Sequence, residues 1–258
     1  YARGLIVGMS LLVACGSETT SSNANQSAAD ATASGGEGNV PHESSPDDSG
    51  AEVSDDTDPD QEDVTDSSET LTDLPSDSWE FTIEQNVEGG VVEREVLVQS
   101  PESIDASRRY PVVMNFHGNG GEARGSLQQL MPWAEDGAFV AVAPQGLENS
   151  WNMGTEASKA DDVAFSLMLV EHLSQYANLD MTRVYAMGFS NGSGIIHKMA
   201  AEASPFRAIA GFASQLLEGG APTASTGPVS VLQMHDVDDE VIPYEGGFSQ
   251  PTGHTFMS

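Results

Sequence analysis

The chain has 258 residues and a formal net charge of −31, with 40 acidic residues against 9 lysines and arginines. Nucleic-acid binding requires clustered basic side chains, so nucleic acid is not an expected partner. The single cysteine, Cys15, excludes an internal disulfide.

The first 15 residues have the pattern of a secretory signal. An apolar run from Leu5 to Ala14 follows the lone basic residue Arg3 and is too short for a stable transmembrane helix. The run ends in LVAC, which resembles the lipobox of bacterial lipoproteins; an ordinary signal with a chance cysteine is the alternative. The resemblance implies that Cys15 is lipidated after cleavage, and several acyl chains would hold the protein stably at a membrane. Because the chain begins with Tyr1, we expect a fuller basic segment ahead of it.

Residues 16–77 have the composition of a disordered tether. They contain no lysine or arginine, many carboxylates and hardly any large apolar side chains. Such a segment cannot offset its ordering entropy by burial, and its like charges favour extended conformations. The aspartate-rich part lacks the spacing of an EF-hand, so it does not predict a calcium site. We therefore expect an acidic linker between the anchor and a globular domain over residues 78–258.

The globular part begins with a β-hairpin and continues with alternating strands and helices. Apolar and polar residues alternate over 79–87 and 91–99, on either side of a Gly89-Gly90 turn. Short apolar runs and helical periodicity then predict strands at 110–116, 139–143, 183–187, 206–212 and 229–234, and helices at 126–133, 161–176 and 192–203. This order predicts an α/β fold with a mainly parallel sheet, whose functional residues lie at the carboxyl ends of the strands.

The sequence GFSNG at 188–192 places Ser190 between a predicted strand and a predicted helix. In this context the pattern G-x-S-x-G is typical of a nucleophile elbow, a tight turn that exposes the serine hydroxyl. The following helix directs free N–H groups and a positive dipole at the site. A plain glycine-serine turn is the alternative, and we predict that Ser190 is a nucleophile.

A glycine-rich loop, HGNGG at 117–121, follows the first predicted parallel strand. An acyl-transfer enzyme needs backbone donors for its oxyanion, one after the nucleophile and one from such a loop. We predict that the amides of Asn119 or Gly120, together with that of Asn191, form the oxyanion hole. His117 is expected to be structural.

The last predicted strand leads into HDVDDEVIPY at 235–244. A carboxylate that orients a catalytic histidine is expected at a strand end after the nucleophile. Spacing alone does not distinguish among Asp236, Asp238 and Asp239, and an exposed acidic loop without a catalytic role is the alternative.

Several motifs together resemble the secreted α/β-hydrolase esterases grouped with polyhydroxybutyrate depolymerases and feruloyl or acetylxylan esterases. The similarity extends from Tyr110 to the end of the chain, and its motifs are FHGNGG, NSWN, DDVAF, RVYAMGFSNG and VIPYEGG. In that family the last strand leads into H-G-T-x-D-x-x-V-P-Y, which implies Asp239 as the catalytic aspartate and Ser190 as the nucleophile. Asp236 and Val237 stand where the family has glycine and threonine.

The sequence offers no well-placed histidine to act as the base. His254, in PTGHTFMS, is the only histidine after Asp239, and the residues between them leave no room for a helix and a strand. His254 is therefore a weak candidate, and we expect the domain to continue beyond Ser258 to its last helix, strand and catalytic histidine. His42, His172 and His197 are not expected to be catalytic.

These features predict an exported, lipid-anchored serine esterase of the cell envelope. Its expected substrates are esters, and the resemblance implies polymeric ones, namely polyesters or plant-polysaccharide esters. No metal or cofactor is implied, because no cysteine, histidine or carboxylate cluster has zinc-like spacing. A serine peptidase of the same fold and a non-catalytic, carbohydrate-binding surface lipoprotein are the alternatives.

Overall fold

The structure is a computed structural model that describes residues 71–220, 222 and 227–257. The predicted signal, its lipidation site Cys15 and residues 16–70 of the expected tether lie outside the described residues. Within the described part of the chain, no helix has both the length and the hydrophobicity needed to cross a bilayer.

A seven-stranded sheet organises the domain, with the order β1-β2-β4-β3-β5-β6-β7. The hairpin of β1 and β2 joins β4 in antiparallel pairing, and all other neighbours are parallel. The strands are β1 (Ser78–Val87), β2 (Gly90–Gln99), β3 (Tyr110–Phe116), β4 (Val140–Pro144), β5 (Leu179–Phe189), β6 (Ala208–Phe212) and β7 (Ser230–Met234). A mainly parallel sheet with an antiparallel start and a serine elbow after β5 confirms the predicted α/β-hydrolase fold.

In the described part of the chain, three α-helices cover the sheet. Helix α1 (Ala123–Glu135) packs on β2, β3 and β4, whereas α2 (Asp162–Ser174) and α3 (Asn191–Glu202) contact each other and β5. The side chain of Asp161 caps α2 by accepting the Ala164 N–H at 2.9 Å. The core lies mainly between the sheet and α2 and α3, and its fully buried side chains include Phe116, Trp151 and Phe165.

The observed elements differ from the predicted ones at several places. Leu74 is buried in the core, and the Thr72 backbone pairs with Gln175 and Ala177, so the packed domain begins before the predicted boundary at residue 78. Helix α1 starts at Ala123 and β5 at Leu179, each earlier than predicted. A short hairpin of β8 (Gly247–Phe248) and β9 (Thr255–Phe256) was not predicted, because two-residue strands carry no periodic signal.

Candidate active site

Ser190 occupies a strained turn between β5 and α3. Its backbone has φ 52° and ψ −119°, a region that residues other than glycine seldom adopt and that costs on the order of 1–3 kcal/mol. The turn is held by two hydrogen bonds: Ser190 N–H donates to Phe212 O at 2.8 Å, and Gly194 N–H donates to Ser190 O at 2.9 Å. Strain maintained by surrounding packing is typical of functional positions.

The two glycines of the elbow are required by space. A Cβ at Gly188 would lie 2.3 Å from Gly192 O, and a Cβ at Gly192 would lie 2.1 Å from Phe116 O. Both distances are far below van der Waals contact. The pattern G-x-S-x-G thus reflects close backbone packing of β5, α3 and the end of β3.

The oxyanion candidates do not all have a free amide. Gly120 N–H donates to Asn149 O at 2.7 Å, so this amide is engaged with another loop, and the choice of Asn119 over Gly120 as oxyanion donor becomes the proposal. Within the described residues, neither the Asn119 N–H nor the Asn191 N–H donates a backbone hydrogen bond in a turn, loop or helix cap. Asn191 is the first residue of α3, and the first amides of a helix have no partner within that helix. The loop also abuts the elbow, because a Cβ at Gly118 would lie 3.6 Å from the Ser190 Cβ.

His117 holds the glycine-rich loop 117–121 in place. Its Nε2 accepts the Gly146 N–H at 3.0 Å, and its Nδ1 lies 2.8 Å from Gly118 O, which can only accept. The neutral ring therefore carries its proton on Nδ1. Burial lowers the pKa of His117, which favours this neutral form. The geometry agrees with the structural role predicted for His117.

Trp151 connects the glycine-rich loop with the elbow. Its indole N–H donates to His117 O at 2.9 Å. Its main-chain N–H donates to Asn191 Oδ1 at 2.7 Å, and its carbonyl accepts from Asn191 Nδ2 at 2.9 Å. The sequence analysis missed this contact, because forty positions separate the two residues and no periodicity relates them.

A buried ion pair fixes the segment after Trp151. Arg94 Nη2 lies 2.7 Å from Asp162 Oδ1, and both side chains are almost fully buried. Asp162 Oδ2 accepts the Asn152 N–H at 2.6 Å. Burial raises the pKa of Asp162 against the opposing attraction of Arg94. The sequence could have indicated that Arg94 is buried, because the alternation along β2 places it on the same inward face as Val96 and Val98.

The three aspartates after β7 have different surroundings. Asp236 Oδ1 accepts the Asp238 N–H at 3.0 Å, a local turn contact. Asp239 Oδ1 accepts the N–H groups of Val241 at 2.8 Å and Ile242 at 2.9 Å. The other oxygen, Asp239 Oδ2, lies 3.3 Å from His235 Nε2. Asp239 is thus the aspartate whose carboxylate is oriented from several sides.

The surroundings of Asp239 favour its ionised form. Burial raises its pKa, but the N–H groups of Ile242 and Val241, together with His235, outweigh burial and hold the pKa below its ordinary value. His235 Nε2 also lies 2.9 Å from Ile242 O, so this nitrogen carries the proton. His235 Nδ1 is buried and has no partner among the described residues.

His254 pairs with a different carboxylate. Its Nε2 lies 2.9 Å from Glu156 Oε1 and 2.9 Å from Thr155 Oγ1. Glu156 Oε2 accepts the N–H groups of Met153, Gly154 and Thr155 at 2.7–3.1 Å. In the described part of the chain, no hydrogen bond joins His254 to Ser190 or Asp239. The structure therefore does not bring the weak candidate His254 together with the other predicted site residues.

The remaining described histidines are also engaged away from the elbow. His172 stacks on Phe81 with ring centroids 4.2 Å apart, and His197 Nε2 lies 2.7 Å from Gln233 Oε1. No histidine among residues 71–220 and 227–257 hydrogen bonds to Ser190. The same residues contain no group of three or more histidine, cysteine or carboxylate side chains arranged to hold a metal.

Comparisons with known proteins add similarity to esterases. No protein-family model matches the chain. Probable feruloyl esterase C of Aspergillus terreus is 31% identical over 175 residues, which are 63% of this chain and 60% of that protein. Feruloyl esterase C of Emericella nidulans is 28% identical over 173 residues, or 64% of this chain and 61% of that protein. The chain thus spans about three fifths of the length of these two relatives.

Among solved structures, the crystal structure of a thermostable esterase aligns with a TM-score of 0.45 and 18% identity, covering 62% of this chain and 55% of that one. This similarity is too low to support a functional argument. The α/β-hydrolase class therefore rests on the strand order, the pairing directions and the elbow at Ser190.

Proposed function

We propose that the protein is a serine carboxylic ester hydrolase with Ser190 as its nucleophile. The observation that carries the proposal is the positive φ of Ser190, between two glycines at which a Cβ would clash with neighbouring backbone. A strained serine at the end of a central parallel strand is the arrangement of a nucleophile elbow. The sequence similarity to feruloyl esterases supports the same reaction class.

In the proposed mechanism, the Ser190 hydroxyl oxygen attacks the ester carbonyl carbon and its proton passes to a histidine. The carbonyl oxygen becomes an oxyanion that accepts hydrogen bonds from Asn119 N–H and Asn191 N–H. Each such donor lowers the barrier by about 3 kcal/mol. The intermediate then expels the alcohol, which takes the proton from the imidazolium, and water hydrolyses the resulting acyl-serine by the same steps.

Asp239 is the proposed partner of the catalytic histidine. Its lowered pKa keeps it ionised, as a group that orients an imidazole and stabilises the imidazolium must be. We propose that the base itself is a histidine outside the described residues, as the sequence analysis predicts. The contacts of His117, His235 and His254 support this, because each ring is committed to another partner.

The proposed substrates are esters of hydroxycinnamic acids with plant polysaccharides, because the relatives are feruloyl esterases. Polyesters and acetylated xylan are the further candidates that the motif resemblance implies. The proposed location is the cell envelope, with Cys15 carrying the lipid and the acidic segment linking it to the domain.

The test is hydrolysis by the full-length protein and its Ser190→Ala variant. We expect the wild type to hydrolyse a feruloyl ester, and the variant to be slower by about 10⁴- to 10⁶-fold. An anilide with the same acyl group separates an esterase from a peptidase. Acetylated xylan and a hydroxybutyrate polyester serve as competing substrates. Equal rates for the wild type and the variant would reject the mechanism, and no hydrolysis of any substrate would favour a non-catalytic binding protein.

A further inference from the structure

The two proposed oxyanion donors come from different parts of the chain. Asn119 follows β3 and Asn191 follows β5, and the pairing of these strands ends at Phe116 and Gly188. Each donor therefore lies three residues beyond the last paired position. Donors must be held to within about 0.5 Å to stabilise an oxyanion, so contacts outside the sheet must set their spacing.

Trp151 supplies contacts to both segments. Its indole N–H donates to the carbonyl of His117, two residues before Asn119. Its main chain exchanges two hydrogen bonds with the carboxamide of Asn191. The indole is fully buried and packs on the rings of Phe116 and His117, each with a centroid distance of 5.0 Å. Trp151 therefore contacts the loop through its side chain and the elbow through its main chain.

Trp151 is itself anchored to the scaffold. The next residue, Asn152, donates its N–H to Asp162, and Asp162 pairs with Arg94 of β2. The preceding residue, Ser150, donates its hydroxyl to Asn191 Oδ1 at 3.3 Å. The anchor thus runs from α2 and β2 through Trp151 to both donor segments.

We propose that Trp151 is a positioning residue that sets the distance between the two oxyanion donors, with the Asn191 side chain as its partner on the elbow. This rests on the proposed function of Ser190. Trp151 touches neither substrate nor nucleophile in this role. It acts through His117 on one donor and through Asn191 on the other.

The test is Trp151→Phe in the full-length protein. Phenylalanine keeps an apolar ring and the main-chain bonds to Asn191, but it leaves His117 O without its indole donor. We expect kcat to fall by about 10- to 100-fold and KM to change by less than about three-fold, because the donors act on the transition state.

Trp79→Phe is the matched control. It removes an equivalent indole hydrogen bond, from Trp79 Nε1 to Ser100 Oγ at 3.0 Å, on β1 far from the elbow in the sheet order. We expect kcat of this variant to stay within about two-fold of wild type, as for a substitution remote from the site. Equal losses of kcat in both variants would assign the effect to general destabilisation and overturn the proposal.

Asn191→Asp tests the other half of the contact. It keeps the acceptor for Trp151 N–H, removes the donor to Trp151 O and leaves the main-chain amide of residue 191 in place. Trp151→Phe and Asn191→Asp both weaken the same link between the glycine-rich loop and the elbow. We therefore expect the double variant to lose little more kcat than the more damaged single variant. Independent, multiplying losses would contradict a shared connection.

Hydrogen exchange provides a readout that does not require catalysis. In Trp151→Phe we expect faster amide exchange in both 117–121 and 190–194, and in Trp79→Phe in neither. Faster exchange in only one segment would overturn the coupling, as would a rise of KM with unchanged kcat. If no Ser190-dependent hydrolysis exists, the proposed function fails while the exchange measurement still decides whether Trp151 couples the two segments.

Discussion

The part of the candidate site around Ser190, the nucleophile side, and the part around Asp239, the aspartate side, are built differently. On the nucleophile side, Phe116 at the end of β3 is buried, the elbow glycines have no free space, and Trp151 and Asn191 hydrogen bond to each other. On the aspartate side, the loop that follows β7 is held by hydrogen bonds around Asp239.

This difference teaches where each side obtains its precision. Close packing fixes the position of Ser190, so substitutions there should reduce stability and activity together. Directed hydrogen bonds fix Asp239, so substitutions there should reduce activity far more than they reduce the stability of the fold. The predictions below test this contrast, beginning with the largest expected effect.

The largest effect is expected for Asp239→Asn in the full-length protein. Asparagine keeps an acceptor for the N–H groups of Val241 and Ile242 but loses the charge that stabilises an imidazolium. We expect kcat to fall by about 10⁴-fold, whereas the free energy of unfolding should fall by only about 1–2 kcal/mol, because hydrogen bonds to a charged group are lost. Ester hydrolysis and urea unfolding measure the two quantities.

Asp236→Asn and Asp238→Asn are the matched controls, because the same change is made within three residues. We expect each to stay within about two-fold of the wild-type kcat, as for surface substitutions. A large loss of kcat in one of the controls, together with a small loss in Asp239→Asn, would assign the orientation of the catalytic histidine to the aspartate changed in that control.

The next largest effect is expected for Gly192→Ala. The new Cβ would lie 2.1 Å from Phe116 O and 2.5 Å from His117 O, so the elbow and the end of β3 must move apart. We expect the free energy of unfolding to fall by about 3 kcal/mol or more, with loss of activity. Urea unfolding measures the change.

Gly125→Ala on α1 provides the comparison, since a Cβ there would meet no atom within 4 Å. Alanine is the better helix former, so we expect this variant to gain about 0.5–1 kcal/mol. A Gly192→Ala protein as stable as wild type would contradict the packing account of the elbow.

The smallest effect is expected for Glu156→Gln. Burial raises the pKa of Glu156, but the hydrogen bond from His254, the backbone N–H groups and the charge of His254 outweigh burial and lower it. The folded state therefore binds the proton less tightly than the unfolded state, and ionised Glu156 stabilises the fold above its ordinary pKa of about 4.3. That contribution is lost as the pH falls through the lower, folded-state pKa.

We expect Glu156→Gln to be about 1–2 kcal/mol less stable than wild type at pH 7, because hydrogen bonds to a charged group are lost. The difference should shrink as the pH falls below about 4. Urea unfolding at several pH values measures it, and the exposed Glu148→Gln serves as the control. Unchanged kcat in this variant would also agree with His254 having no catalytic role, whereas a loss as large as that of Ser190→Ala would restore His254 as the base.

The sequence predicted the elbow well because its constraints are local. Gly188, Ser190 and Gly192 lie between an apolar strand and a helix, and this local context identifies the turn, although Phe116 of β3 also excludes a side chain at Gly192. The choice between Asn119 and Gly120 could not be predicted, since it depends on a hydrogen bond to Asn149 from another loop. The choice among Asp236, Asp238 and Asp239 depends on which backbone N–H groups point at each carboxylate, and the sequence does not show this. The Trp151–Asn191 contact joins residues that no sequence pattern connects.

The most direct test of the central claim is covalent labelling of the intact, full-length protein with a fluorophosphonate, followed by mass spectrometry of its peptides. A fluorophosphonate reacts with an activated serine hydroxyl, so the account predicts a single phosphonylated site at Ser190, lost in Ser190→Ala and slowed in Asp239→Asn. An unlabelled Ser190 in a folded protein that hydrolyses esters, or a label on another serine, would contradict it.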